Sequence, residues 1–166
     1  MDVQGAEKAR PYVELAQATY TNLVDQDNLL SQMFGFRAVP NGLLLDEQGQ
    51  LQYQKFGGFD IRRQEYAELV EEWAGNPLSA NLARPETADS MGGPEHQRAI
   101  THFQRGVTLY RQGGVKEALR EWKKSRDVEP DNWVVRKQIW AVEHPEKFYQ
   151  DEIDSPWQRE QLTQGT

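Results

Sequence analysis

The chain has 166 residues, 37% apolar and 10% aromatic, with a net charge of -7 and a pI near 5.0. That is enough globular sequence for one ordinary domain or two small ones, and the acidic balance argues against nonspecific nucleic-acid binding and adsorption to anionic membranes. No apolar run approaches the roughly 20 residues that span a bilayer, and the lack of any cysteine excludes disulfides, thiolate chemistry and cysteine–metal sites.

The N-terminal Met1-Asp2-Val3-Gln4-Gly5 has neither the basic start nor the apolar segment of a signal peptide. A cytoplasmic location is expected if Met1 is the native start. Ala6, Ala9, Tyr12, Val13 and Ala16 recur at helical spacing. Pro11 falls in that pattern, either in the first turn of a helix starting near Arg10 or as a kink in a longer one. Thr19 to Asp25 is β-branched and aromatic, which predicts a short strand. Asp25 or Asp27 is placed to cap the next helix, whose apolar residues are Leu29, Leu30, Met33 and Phe34, and Gly35 to end it. Pro40 then precedes Leu43-Leu44-Leu45, which reads as a strand buried on both faces. Asp46 to Gln50 is a hairpin loop with Gly49 at positive φ, Leu51 to Phe56 is the return strand, and Gly57-Gly58 breaks it. Asp60 is expected to cap a helix with Tyr66, Leu69, Val70 and Trp73 on its inner face, stopped by Gly75-Asn76-Pro77.

Five short segments occur in a set order: Asp2 to Glu7, Leu23-Val24-Asp25, Phe34 to Pro40, Leu45 to Gly49, and Gly57-Gly58-Phe59-Asp60. In that order residues 1–74 resemble the C-terminal part of thioredoxin-like redoxins, the thiol–disulfide oxidoreductase and alkyl hydroperoxide reductase relatives. The resemblance implies a cis Val39-Pro40 peptide and an α/β fold that is only partly present. The family's N-terminal β-α-β with its Cys-x-x-Cys motif would lie before Met1. It also implies that Phe36, Arg37, Ala38, Val39 and Pro40 offer a peptide- or partner-binding surface by strand addition, without chemistry. A structural turn facing an assembly interface is the simpler role for the same five residues. The missing strands would leave an unpaired edge beside Leu43 to Leu45 and an uncovered apolar helix face. The expected partner is therefore another copy of the chain or a protein that completes the sheet. The alternative is a longer native protein, with redox cysteines upstream of this chain.

Residues 75–95 are rich in Pro, Gly and small polar residues and read as a linker. Residues 99–132 match one 34-residue tetratricopeptide repeat, with Gly106, Leu109, Tyr110, Gly113, Ala118, Trp122 and Pro130 at its characteristic places and Ser125 where alanine is usual. Gly106 and Ala118 let two helices approach, Phe103, Tyr110, Leu119 and Trp122 fill the space between them, and Gly113-Gly114 turns the chain. A capping helix is expected from Trp133 to Val142, with Asp131 as its cap and Glu143-His144-Pro145 as its end. Residues 96–144 thus form a tetratricopeptide-like helical hairpin with its capping helix. The tail, residues 145–166, is aromatic but broken by Pro156, and is expected to wrap back onto the hairpin or the first domain.

Little here points to chemistry. His96 and His102 are six apart, whereas metal ligands on one helix sit three or four apart, so exposed or capping histidines are expected and no metal or cofactor. Glu68, Glu71 and Glu72, and Arg120 with Lys123-Lys124, read as solvated helix faces. No phosphate loop, dinucleotide fingerprint or nucleophile elbow is present, and nothing in the sequence favours a small-molecule site. The expectation is a non-catalytic protein acting through association or self-assembly. The enzyme alternative is the C-terminal portion of a thiol–disulfide oxidoreductase or peroxidase.

Overall fold

The computed structural model describes residues 5–75, 93–149 and 154–163, and within them the chain is a mixture of helices and one small sheet. The first helix, α1 (Ala6–Leu15), carries Pro11 in its interior. The second, α2 (Leu29–Phe34), starts where both carboxylate oxygens of Asp25 accept the backbone N–H groups of Leu29 and Leu30, at 2.8 and 3.0 Å. It ends at Gly35, whose φ of 68° is the left-handed cap that glycine adopts without steric cost. The strand expected over Thr19 to Asp25 is absent; those residues are loop. β-propensity alone does not make a strand, which needs a ladder partner, and here Tyr20 is 73% and Leu23 90% exposed, with no strand among the described residues paired to them.

β1 (Gly42–Leu45) and β2 (Leu51–Lys55) form a two-stranded antiparallel hairpin, with Gly42 opposite Lys55 and Leu44 opposite Tyr53. Asp46 organises the loop: its carboxylate accepts the N–H groups of Gln48 and Gln50, while Gly49 takes φ 74°. β1 is not buried on both faces, as the leucine run suggests. Gly42 and Leu44 are buried and Leu45 is exposed, because the sheet is covered on one side only. Among the described residues no strand pairs with the other edge of β1. Phe59 crosses Gly42 and packs between Tyr53 and Tyr66, with ring centroids 6.3 and 4.6 Å away, which anchors α3 (Gln64–Gly75) beside the hairpin. Asp60 does not cap α3. It closes the turn before it, accepting from the Arg62 backbone and side chain.

The main core lies in the second half. α4 (Pro94–Arg111) and α5 (Val115–Val128) are joined by a tight turn at Gly113, φ 84°, and α6 (Trp133–Glu143) follows. Phe103, Val107, Ala118, Trp122, Val135 and Ile139 form its buried cluster. α4 and α5 run antiparallel and close together: Trp122 Nε1–H donates to the Phe103 carbonyl at 3.1 Å, and Ser125 Oγ–H to the Ala99 carbonyl at 2.7 Å. The α6 cap is Asn132 rather than Asp131; its Oδ1 accepts from Val135 N–H at 3.2 Å. The aromatic tail does fold back. After a short 3-10 turn (Pro145–Lys147), α7 (Ser155–Thr163) places Trp157 edge-on against Trp140, His144 and Phe148. Pro156 does not break this segment. It sits in the first turn of α7 instead, where no intrahelical donor is lost. The tail also reaches α1, through the Tyr12 hydroxyl to the Phe148 carbonyl and Lys8 Nζ over the Tyr149 ring. No described helix is long and apolar enough to cross a membrane.

Candidate functional site: the Phe36–Pro40 loop against the helical hairpin

The five residues singled out in the sequence occupy one short loop between α2 and β1, and the Val39–Pro40 peptide bond is cis. Local contacts fix the loop at both ends. Ser31 Oγ–H, fully buried on α2, donates to the Phe36 carbonyl at 2.8 Å. Phe36 is itself buried, against Phe56 at 6.0 Å. Asn41 clamps the far end, donating to the Ala38 carbonyl at 2.7 Å while its Oδ1 accepts from Gly57 N–H at 2.7 Å. The Pro40 carbonyl accepts from Phe59 N–H at 3.2 Å.

The loop docks on the chain's own second half. Val134 N–H, in the first turn of α6, donates to the Arg37 carbonyl at 3.3 Å. The Arg37 side chain reaches Glu129, Nε to Oε1 at 2.6 Å. Glu129 is 4% exposed and takes two further donors: His96 Nδ1, 2.9 Å from both carboxylate oxygens, and Asn132 Nδ2 at 2.7 Å. His96 is fully buried, and its Nε2 lies 3.3 Å from the Ser31 carbonyl. The expectation of an exposed or capping His96 is therefore wrong. The residue begins an amphipathic helix whose inner face meets α2, and the acid that satisfies it lies 33 residues away. Farther out, Asp27 accepts from Gln104 through its carbonyl and from Arg111 through its carboxylate, at 2.6 and 2.7 Å. Ion pairs thus tie the segment before α2 to α4 and the loop to the segment joining α5 to α6.

One part of the loop is not filled. Ala38 and Val39, with Trp133, Val134 and Lys137 of α6, line a cavity of about 230 Å³. The Lys137 ammonium lies 6.0 Å from the Trp133 ring centre, and burial pushes it below the ordinary lysine range. On the opposite helix pair, His102 is half-buried and meets the Glu121 carboxylate at 2.9 Å, which also receives Lys124 Nζ at 2.6 Å. These hydrogen bonds lower the Glu121 carboxyl from its ordinary 4.5 to about 2.

Chemically, the cluster around Glu129 is suited to holding elements together. Both His96 nitrogens face fixed acceptors and the ring is sealed from solvent, so it has no site at which to move a substrate proton. No group of three His, Asp or Glu side chains able to hold a metal ion occurs among the described residues. Glu129, Asn132 and Lys137 were not apparent as site residues. The only sequence signal was the i,i+3 spacing of Glu129 and Asn132, which is too common to mark anything. Comparisons with protein-family models, with curated proteins and with solved structures found no match.

Proposed function

We propose that the protein is non-catalytic and acts through association, primarily self-assembly, with a partial thioredoxin-like segment joined to a tetratricopeptide-like hairpin. The element order supports the first part of that reading: helix, proline loop, hairpin, helix. The close approach of α4 and α5 at Gly106 and Ala118 supports the second. One observation carries the functional conclusion. The stretch from Leu15 to Met33 leaves large apolar side chains in water: Leu15 at 84%, Tyr20 at 73%, Leu23 at 90%, Leu29 at 53% and Met33 at 59% exposure. Leu29 and Met33 are one turn apart on α2 and share a face. Scattered exposed leucines are ordinary, but a run of this density in one short stretch marks a surface that another chain covers. The edge of β1 away from β2, with which no strand among the described residues pairs, offers its backbone to the same end.

Size-exclusion chromatography with light scattering at low micromolar concentration tests the reading. A dimer or larger species is expected, and Leu23→Glu combined with Leu29→Glu shifts it to monomer. A native chain that stays a compact monomer across the accessible concentration range overturns the proposal.

A further inference from the structure

The cavity beside the Phe36–Pro40 loop has a composition that selects a ligand. Four of its five lining residues, Ala38, Val39, Trp133 and Val134, have apolar or aromatic side chains, and the fifth is Lys137. No acidic residue lines it, and Lys137 makes no ion pair among the described residues. A half-buried ammonium without an acid partner has given up part of its hydration and received only the face of Trp133 in return. A neutral ligand would worsen that deficit. A phosphate would itself be under-satisfied, because two of the backbone donors at the start of α6 are already used. Val134 N–H serves the Arg37 carbonyl and Val135 N–H the Asn132 side chain. A single carboxylate matches the single cation. At about 230 Å³ the space lies below the roughly 300–1,000 Å³ of pockets that enclose drug-sized molecules, so the ligand is small.

We propose that this cavity binds a small carboxylate with an apolar or aromatic body, the carboxylate on Lys137 Nζ and the hydrocarbon against Val39 and Trp133. The site draws on both halves of the chain, so occupancy also braces the loop against α6. It is independent of any association between copies.

Phenylacetate is the probe, with 2-phenylethanol as its neutral counterpart, titrated to about 10 mM into the full ¹⁵N-labelled chain. Phenylacetate is expected to bind in the millimolar range and to shift the Trp133 indole N–H and Val134 amide resonances. The alcohol binds about tenfold more weakly or not at all, because it cannot form the charge-assisted hydrogen bond. Lys137→Met reduces phenylacetate affinity by a similar factor, and Lys137→Arg retains most of it. Equal binding of acid and alcohol to the native chain overturns the proposal. So does an unchanged affinity in a folded Lys137→Met variant, or the absence of any shift at Trp133. Each of those results leaves Lys137 as a lysine whose stem merely covers Trp133.

Discussion

Replacing Glu129 by glutamine removes one negative charge and changes almost no volume. In the native chain three donors converge on two carboxylate oxygens: Arg37 Nε and His96 Nδ1 on Oε1, and His96 Nδ1 and Asn132 Nδ2 on Oε2. An amide presents one acceptor and one NH₂ group. Whichever way it is turned, its NH₂ faces His96 and one further donor. Removing one partner of a buried ion pair costs about 3–5 kcal/mol. Some of that is recovered because Arg37 is 47% exposed and can turn into water, which lowers the expected loss to about 2–4 kcal/mol. Against a total of about 5–15 kcal/mol for an ordinary domain, the variant remains folded but clearly weakened. Urea unfolding at neutral pH, followed by tryptophan fluorescence, measures the change. A double-mutant cycle with Arg37→Ala then asks whether the two halves are coupled through this carboxylate, with at least about 1 kcal/mol expected. A loss below about 0.5 kcal/mol in Glu129→Gln, or strictly additive effects in the cycle, refutes the role assigned to Glu129 between the loop and the hairpin.

Two further expectations concern the hairpin itself. Gly106→Ala gains about 1 kcal/mol of helix propensity, but its methyl carbon would lie within 3.0 Å of Trp122 Cε2 and closer still to Cδ1 and Nε1. Trp122 is fully buried and its indole N–H is held by the Phe103 carbonyl, so it has nowhere to go. Overpacking of about 3 kcal/mol outweighs the gain, for a net loss near 2 kcal/mol; a melting temperature equal to or above that of the native chain contradicts this. The second expectation is a pH dependence. Because Lys124 and His102 hold the Glu121 carboxyl near 2 rather than its ordinary 4.5, its stabilisation is complete above 4.5 and is lost as pH falls from there toward 2. In urea unfolding the deficit of Glu121→Gln relative to the native chain is therefore present at neutral pH and shrinks through that acid window. A deficit that stays constant down to the bottom of the window counts against the carboxylate as its source.

The elements that sequence reading located well are those whose causes lie within a few residues. Gly35, Gly49 and Gly113 sit where a left-handed backbone ends a helix or closes a turn, and each turn appears where its glycine requires. Asp25 caps α2 because its carboxylate is four to five residues from the free N–H groups it satisfies. The residues expected to fill the space between α4 and α5 do so, with Phe103 and Trp122 at its centre. The structure departs from the local preference where a distant neighbour decides the outcome. Thr19 to Asp25 has strand composition, but no strand among the described residues pairs with it. The leucine run of β1 looks two-sided, yet one of its faces is left open. Asp131 and Asn132 are both plausible caps, and which of them faces Val135 N–H depends on how the chain leaves Pro130.

Composition, turn chemistry and periodicity established a cysteine-free, acidic chain with a β-hairpin early, a glycine-turned helical hairpin late and an aromatic tail. These follow from interactions between residues no more than about four positions apart on a helix or paired across a tight turn. The tertiary structure alone decided that Arg37, His96 and Glu129 meet, that His96 is buried, and that Lys137 closes a cavity beside Val39. Those residues lie far apart in sequence, and nothing in the residue types says which acid will satisfy which cation. That pairing is set by the packing of α2 on α4 and of the Phe36–Pro40 loop on α6, where burial makes an unpaired charge costly and so selects the arrangement in which most charges find a partner.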